Sequence, residues 1–248
     1  MQSTAFHQSK HMLENELDFK NDTCTYCGGK NLSQVIKLQI SPRVDLLECM
    51  DCGLGLASRF PTKDALDRYY SSYYSKDKPS ITNDNHIKFA KHIYRHFNNN
   101  LNTQTRTIRI LDFGGGDGSI SYEVAKLMVQ SKGIERVDIS VVDYESGVIN
   151  SSLSTVNICH AEDLNLLDSN YDFVIASAVL EHIPKSKEVL EALESKLVRK
   201  GMIYIRTPYI APLMTLFEKL GLNLDFTYPG HIYDMGELFW NNYCKNKI

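Results

Sequence analysis

A dense run of glycines and acids between residues 108 and 122 is the stretch whose residue types best fit ligand binding. It reads I-R-I-L-D-F-G-G-G-D-G-S-I-S-Y, in which an apolar segment is followed by Asp112, a glycine-rich loop and residues of helical character from Ser119. This order predicts a strand, a tight turn and the start of a helix. Because glycine has no Cβ and tolerates unusual dihedrals, backbone N–H groups at a helix N-terminus can come close to a ligand.

The spacing of this loop argues against a pyrophosphate ligand. Asp112, Gly114, Gly116 and Gly118 form D-x-G-x-G-x-G, which differs from the G-x-G-x-x-G of dinucleotide-binding proteins. A ligand without phosphates tolerates acids in the loop, and here Asp112 and Asp117 flank it. Carboxylates suit a ligand that carries an ammonium or another positive charge.

Four cysteines near the N-terminus have the spacing of a metal site. Cys24 and Cys27 form one C-x-x-C pair, Cys49 and Cys52 form a second after 21 intervening residues, and each pair is followed by glycine. This layout predicts a zinc ribbon with tetrahedral tetrathiolate ligation of Zn2+. Four cysteines leave no open coordination position, and a module of roughly 35 residues is too small to build its own core, so we expect structural zinc.

The chain from the glycine loop onward alternates helix and strand patterns, which predicts a parallel sheet. The predicted elements are a strand from about Thr107, a helix over Ser119–Gln130, strands over Val137–Val142 and Tyr171–Ser177, a helix over Lys187–Val198 and a strand over Gly201–Thr207. We therefore predict an α/β fold with a Rossmann-like, doubly wound sheet. Ligands of such sheets bind at the carboxyl ends of the strands.

Three motifs in this region resemble those of class I S-adenosylmethionine (SAM)-dependent methyltransferases. They are L-D-F-G-G-G-D-G at residues 111–118, V-V-D at 141–143 and Y-D-F-V-I-A-S-A-V-L-E-H-I-P at 171–184, and the resemblance covers residues 107–210. The chain before these motifs resembles a bacterial subgroup of methyltransferases with an N-terminal zinc-binding module. The resembling features are the two cysteine pairs, followed by a proline and then by paired tyrosines. That subgroup is associated with sugar, polysaccharide and natural-product modification, which implies methyl transfer to a sugar, a nucleotide-sugar or a polysaccharide-related metabolite.

The resemblance also implies roles for individual residues in cofactor binding. Gly114, Gly116 and Gly118 would form the floor under the methionine part of SAM, and Asp112 would order the loop and contact the amino group. Asp143 would hold the ribose hydroxyls. Asp138 remains an alternative for that role, because the preceding loop leaves the register open. Asp143, like Asp163 further along the chain, could instead only cap a helix.

The adenine and the sulfonium are expected beside the later strand ends. Ala161 and Glu162 would lie near the adenine, together with His160 and Asp163. The family often has an acid where His160 stands, so Glu162 or Asp163 would contact the exocyclic amine. Ser177 and its neighbours Ala176 and Ala178 would line the wall beside the sulfonium.

The acceptor pocket is expected from segments outside the sheet, chiefly the tyrosine-rich stretch before residue 80 and residues 208–235. His231 follows a proline and a glycine in the second segment and is our candidate catalytic base, since an unperturbed imidazole titrates near physiological pH. A loop histidine bonded to backbone is the competing interpretation. Glu181 and His182 are assigned no proton-transfer role from the sequence.

The predicted organisation has four parts: a loosely ordered N-terminus (1–20), the zinc-ribbon module (21–58), a helical linker and lid (59–106) and a Rossmann-like methyltransferase domain (107–248). Relatives usually end in a strand hairpin at the sheet edge, yet residues 236–246 have a helical pattern. We expect either a sheet with fewer strands or an edge covered by another segment, for example from a partner subunit in a homo-oligomer.

The charge composition indicates which binding partners are not expected. The 248 residues carry a formal net charge of −3, and the segment from Lys20 to Arg59 has five basic and four acidic residues. This balance makes nucleic acid an unexpected partner. No apolar run is long enough for a membrane span and no signal peptide is visible, so we expect a cytoplasmic protein. The alternatives kept open are an RNA methyltransferase that grips RNA with its ribbon and a non-catalytic cofactor-binding protein.

Overall fold

The computed structural model describes residues 9–73, 85–99, 107–132, 134–143, 149–222 and 225–246. Its strands, numbered in chain order, are β1 (Leu32–Gln39), β2 (Val44–Cys49), β3 (Leu54–Ala57), β4 (Thr107–Phe113), β5 (Arg136–Val142), β6 (Val156–Ala161), β7 (Tyr171–Ser177), β8 (Leu197–Arg206) and β9 (Tyr233–Met235). Its α-helices are α1 (Lys63–Tyr73), α2 (His86–Asn98), α3 (Ser119–Lys132), α4 (Ser186–Ser195), α5 (Ala211–Lys219) and α6 (Glu237–Asn246). Short 3-10 turns occupy Glu14–Glu16, Leu164–Leu166 and Leu180–His182.

The chain divides into two compact units that are each discontinuous in sequence. Unit 1 comprises Met1–Lys78, Leu180–Lys187 and Thr207–Ile248, and unit 2 comprises Pro79–Val179 and Glu188–Arg206. The four-part division expected from the sequence follows different boundaries and stays a prediction. The sheet pairings below explain the difference, because strands that are distant in sequence share a sheet in unit 1.

Unit 2 is built on a parallel sheet with strand order β6-β5-β4-β7-β8, five strands in the part of the chain that the structure describes. The order runs outward from β4 in both directions, which is the doubly wound arrangement. Ile110 lies in a core with residues of α2 and α3, whereas its neighbour Leu111 lies in a separate core that includes Leu193 of α4. Since successive strand residues face opposite sides, helices cover both faces of the sheet. The predicted Rossmann-like fold is confirmed.

The register of this sheet aligns the strand ends that carry the predicted site residues. Phe113 of β4 lies opposite Val142 of β5 and Ala176 of β7, and Val142 lies opposite Ala161 of β6. On the far side of β7, Ser177 pairs with Arg206 of β8. The carboxyl ends of all five strands therefore meet at one edge.

Unit 1 contains a four-stranded antiparallel sheet, in the order β1-β2-β3-β9, among the residues described. The strand β9 pairs with β3 through Leu54↔Met235 and Leu56↔Tyr233. The ribbon strands thus complete their sheet with a strand from the C-terminal part of the chain. In the described ranges, no strand hairpin follows β8 in the parallel sheet.

An aromatic cluster lies among the buried residues of unit 1. Tyr26 packs edge-on against Tyr233 at 6.1 Å, Phe239 at 4.9 Å and Tyr243 at 6.2 Å between ring centroids. Tyr26 is 1% exposed, and its hydroxyl donates a hydrogen bond to Ser186 Oγ at 2.9 Å. Such edge-to-face contacts stabilise a core beyond simple area burial. Among the described helices, none is both long and apolar enough to cross a bilayer.

Candidate functional site

The glycine loop after β4 has the backbone conformation that its composition predicts. Gly114, Gly116 and Gly118 have φ angles of +71°, +58° and +78°, a region that residues with a Cβ rarely adopt. The space beside each glycine differs. A Cβ on Gly114 would lie 2.7 Å from Val179, and one on Gly118 would lie 2.5 Å from Ile158, whereas a Cβ on Gly116 would meet nothing within 4 Å. Gly116 is thus the glycine that faces open space, and the other two allow close packing.

Asp112 is buried at the end of β4 with an exposed fraction of 3%. The pKa of this carboxyl group is raised to about 6, chiefly by burial, while a hydrogen bond from Ser121 opposes the shift and the nearby carboxylates of Asp143 and Asp117 add to it. Its Oδ2 atom is inaccessible and accepts no hydrogen bond from the described residues. A buried acceptor of this kind is costly unless a donor is supplied, and an ammonium group would supply one.

Gly115 is the loop residue whose role is not visible in the sequence. A Cβ at this position would fall 2.3 Å from Cγ of Asp112, so a side chain here would collide with the buried carboxylate. The missing side chain is what allows Asp112 to lie under the loop. The need for glycine at position 115 is evident only from the three-dimensional position of the Asp112 carboxylate.

Asp143 follows β5 and contacts the glycine loop directly. Its Oδ2 atom accepts a hydrogen bond from the Gly116 N–H at 2.8 Å. Asp138, the alternative for the ribose, lies inside β5 and pairs with Arg136 at 2.8 Å. Asp138 stands opposite Arg109 near the start of β4, while Asp143 follows the strand ends. Of the two acids, Asp143 is therefore the one that lies beside the glycine loop.

Asp117 and Asp163 both cap turns or helices. Asp117 Oδ1 accepts hydrogen bonds from the backbone N–H of Ser119 at 3.0 Å and from its hydroxyl at 2.6 Å, at the start of α3. Asp163 Oδ1 accepts a hydrogen bond from the Asn165 N–H at 2.8 Å, at the start of a 3-10 turn. These bonds are the helix-capping function of short acidic side chains. The capping interpretation is sufficient for both residues.

The predicted adenine side lies after β6. His160 Nε2 donates a hydrogen bond to the Asp143 carbonyl at 3.0 Å, so this histidine fixes the backbone at Asp143. Ala161 is half-buried and Glu162 is exposed. Of the two acids considered for the adenine amine, Glu162 is the one whose carboxylate is not used as a cap.

The end of β7 carries an unusual backbone conformation. Ala178 has a φ of +57°, which is rare for a residue with a Cβ. Its N–H donates to the Arg206 carbonyl at 2.7 Å, and Arg206 Nε donates to Ser177 Oγ at 3.0 Å. Backbone strain of this kind clusters at binding sites. Ser177, Ala178 and buried Ala176 thus form a fixed turn at the strand end where the sulfonium wall is predicted.

The residue predicted as the catalytic base, His231, lies in unit 1 with an exposed fraction of 7%. Its Nδ1 atom lies 2.8 Å from Thr227 Oγ1 and 3.2 Å from the Phe226 carbonyl. His182 and Glu181 lie beside it in unit 1, and one ligand atom from each of the three lies within 4.8 Å of the others. Nothing in the sequence pattern indicates this grouping. The contact between His182 and the segment that contains His231, at the Gly230 carbonyl, joins positions 48 apart in the chain.

The four ribbon cysteines converge as their spacing predicts. The Sγ atoms of Cys24 and Cys52 are 3.6 Å apart, as are those of Cys27 and Cys49, and all four lie within 4.8 Å of one another. A tetrahedral ion with Zn–S bonds of about 2.3 Å requires sulfur separations of about 3.8 Å. The cluster therefore fits a single tetrahedrally bound zinc ion.

The fold and the loop define a class of protein: a doubly wound domain with a glycine loop after its first strand and acids at the ends of two neighbouring strands. The buried acceptor on Asp112, the open face of Gly116 and the acid after β5 fit SAM. The model of a family described as a methyltransferase domain matches residues 85–240. The match covers more than half of the chain, which therefore belongs to this family of methyltransferase domains.

The chain spans well under half the length of the known proteins that it matches, and the matches cover only part of the chain itself. A 172-residue stretch is 26% identical to "Probable polyketide synthase 5" of Dictyostelium discoideum, covering 58% of this chain and 6% of that protein. A 111-residue stretch is 27% identical to malonyl-[acyl-carrier protein] O-methyltransferase of Bacillus cereus, covering 42% of this chain and 39% of that one. A solved structure, the CurJ carbon methyltransferase, is 15% identical with a TM-score of 0.44, covering 64% of this chain and 46% of that chain.

Proposed function

We propose that this enzyme transfers the SAM methyl group to a small-molecule acceptor, namely a sugar, a nucleotide-sugar or a polysaccharide-related metabolite. The observation that carries the cofactor part is the presence of two acids at the glycine loop: Asp112 is buried beneath it, and Asp143 accepts a hydrogen bond from the Gly116 N–H. The acceptor class is supported by the resemblance to bacterial methyltransferases with an N-terminal zinc module and by the net charge of −3.

Within unit 2, the proposed roles follow the loop and the strand ends. Asp112 would accept a hydrogen bond from the SAM ammonium and Asp143 would hold the ribose. Gly116 would lie against the methionine part, with Gly114 and Gly118 keeping the loop close to β5, β6 and the turn after β7. Ala161, Glu162 and Ser177 would line the remainder of the cofactor site. Transfer from a sulfonium needs little activation of the donor, so these residues mainly bind and align SAM.

His231 is the proposed base for an acceptor hydroxyl. Because a carbonyl oxygen only accepts, the contact with Phe226 places the proton of His231 on Nδ1, which leaves Nε2 as the basic nitrogen. The four ribbon cysteines are proposed to hold a structural Zn2+ that stabilises the sheet β1-β2-β3-β9. The role of His231 requires a hydroxyl acceptor, whereas the role of the zinc does not depend on the acceptor.

A methyl-transfer screen tests the proposal. The protein is incubated with SAM labelled in its methyl group and with separate pools of nucleotide-sugars, free sugars and total RNA. We expect label in a nucleotide-sugar or sugar fraction, and its loss in Asp143→Ala. Label in RNA that rises as salt is lowered would favour the RNA methyltransferase instead. Tight SAM binding without label in any pool would favour the non-catalytic alternative.

A further inference from the structure

Glu181, His182 and His231 form a compact cluster inside unit 1, built from two chain segments. Glu181 and His182 lie in the 3-10 turn Leu180–His182, and His231 lies just before β9. The segments are joined by backbone, because the Ile232 N–H donates to the Glu181 carbonyl at 3.0 Å. Glu181 is 1% exposed and His231 is 7% exposed. The cluster is therefore buried and held from both sides.

Both imidazoles of the cluster have their Nδ1 atoms committed to backbone carbonyls. His182 Nδ1 donates to the Gly230 carbonyl at 2.6 Å, and His231 Nδ1 lies 3.2 Å from the Phe226 carbonyl. Carbonyl oxygens only accept, so each Nδ1 carries the proton and each Nε2 carries the lone pair. This is the arrangement found for metal-binding histidines, whose second nitrogen donates to a carbonyl or carboxylate that fixes the ring.

The backbone that holds His231 is strained. Thr227, whose hydroxyl lies 2.8 Å from His231 Nδ1, has a φ of +66° and is fully buried. A β-branched residue in the left-handed region is an outlier that costs on the order of 1–3 kcal/mol and occurs mostly at ligand sites. The strained backbone conformation thus occurs at Thr227, the residue whose hydroxyl contacts the ring of His231.

We propose that Glu181, His182 and His231 bind a divalent transition-metal cation through one carboxylate oxygen and two Nε2 atoms. Two imidazoles and one carboxylate are a donor set that suits Zn2+, Fe2+, Co2+ or Mn2+. Burying a carboxylate charge is costly, and the cation would place a compensating positive charge beside Glu181.

The spacing of the donor atoms is compatible with this site. His182 Nε2 lies 3.9 Å from Glu181 Oε1, and each of the three residues has one potential ligand atom within 4.8 Å of those of the other two. A tetrahedral ion with bonds of about 2.1 Å needs donor separations of about 3.4 Å. Binding would therefore draw the donors together by a small distance, which side-chain rotation can supply.

This cation site goes beyond the proposed methyl transfer and changes the role of His231 when it is filled. The lone pair that makes Nε2 a base would then bind the cation. An acceptor hydroxyl bound to the cation would lose its proton more readily, because the cation lowers the pKa of an oxygen that it contacts. Cation binding is measurable without any acceptor, so its test is separate from the test of methyl transfer.

A cobalt titration tests the site. The protein is purified with Zn2+ in the cysteine cluster, freed of loosely held metal with a mild chelator and titrated with Co2+. We expect one Co2+ per chain, with the weak visible absorption of nitrogen and oxygen ligands and without the intense near-ultraviolet bands of thiolate ligation. A parent protein that takes up no Co2+ of this type overturns the proposal.

Variants assign the bound cation to the cluster. His182→Ala, His231→Ala and Glu181→Gln should each weaken Co2+ binding by about 100-fold or more, given that even partners of metal ligands contribute about 10-fold to 100-fold. His92 and His96 on α2 are exposed, with ring centroids 4.7 Å apart, and could bind Co2+ adventitiously. The control His92→Ala/His96→Ala should leave the titration unchanged. Unaltered binding in both His182→Ala and Glu181→Gln overturns the proposal even if His231→Ala fails to fold.

Discussion

Gly116 and Asp143 are joined by a hydrogen bond of 2.8 Å from the loop N–H to the carboxylate after β5. The bond links the two chain segments that the proposal assigns to the methionine part and to the ribose of SAM. The carboxylate is therefore oriented by the protein before any cofactor arrives, which reduces the entropy lost on binding.

Removing this carboxylate should weaken SAM binding selectively. A hydrogen bond to a charged group contributes about 1.5–3 kcal/mol, so Asp143→Ala should lower the affinity roughly 10-fold to 100-fold by calorimetry. Asp138→Ala is the matched control, because Asp138 lies inside β5 and pairs with Arg136 rather than with the glycine loop. The control should bind SAM like the parent, and equal losses in the two variants would contradict the assignment.

The open face of Gly116 predicts a second selective effect. Gly116→Ala should lose on the order of 1–2 kcal/mol of stability from strain at positive φ. It should also weaken SAM binding, because the methyl group enters the space assigned to the cofactor. Gly221→Ala is the control: Gly221 has a φ of +70°, and a Cβ added there would likewise meet nothing within 4 Å. Thermal melts should show similar losses, whereas calorimetry should show weaker SAM binding only at Gly116.

The buried acid Asp112 predicts that SAM affinity depends on pH. Its folded pKa is raised from 3.8 to about 6, so the fold retains a proton that the unfolded chain has released. The contribution of this group to the free energy of unfolding therefore falls as the pH rises from about 4 to about 6. SAM has an ammonium that favours the ionised carboxylate, so its affinity should fall as the pH is lowered from about 7 to about 5.

The slope of that decline should approach about tenfold per pH unit below the pKa of Asp112. Asp112→Asn should bind SAM weakly near neutral pH and show little further change on acidification. A parent protein with the same affinity at both ends of this range would show that Asp112 does not contact the ammonium. Asp234 also has a pKa raised by burial to about 6, so Asp234→Asn serves as the control that should retain the slope.

Loss of one ribbon thiolate should release the zinc. Because metal binding supplies folding free energy in such modules, Cys49→Ser should lower the zinc content and the melting temperature together. The exposed Cys244 offers a matched control, and Cys244→Ser should keep the zinc content of the parent. Elemental analysis of the two purified variants provides the measurement. Equal zinc in Cys49→Ser and the parent would rule out the four-cysteine site.

The parts of the fold that depend on local pattern are predictable from the sequence. The predicted strand Tyr171–Ser177 has the observed bounds, and the predicted helix from Ser119 ends within two residues of the observed one. Here the hydrophobic period and the glycines at the loop suffice. The strand ends that carry Asp112 and Asp143 follow from the same pattern, since parallel strands end at a common edge.

The parts that depend on distant partners are not predictable in this way. Strand β9 has three residues and no strand period of its own, and it exists because β3 offers it an edge. The need for glycine at position 115 depends on where the Asp112 carboxylate lies. The grouping of His182 with His231 likewise depends on a contact between a turn and a loop that are distant in the chain. In each case the feature depends on a contact in the folded protein that the local sequence pattern does not contain.

The pairing of β3 with β9 also sets an order of events during synthesis. Strand β3 ends at Ala57 and β9 begins at Tyr233, so the ribosome must add 175 intervening residues before the sheet of unit 1 can be completed. At typical elongation rates of about 5–20 residues per second this takes roughly 10–35 s. Throughout that interval the nascent chain has an unpaired β3 edge, the kind of surface that recruits other strands. The newly made protein is therefore most exposed to mispairing before β9 leaves the ribosome.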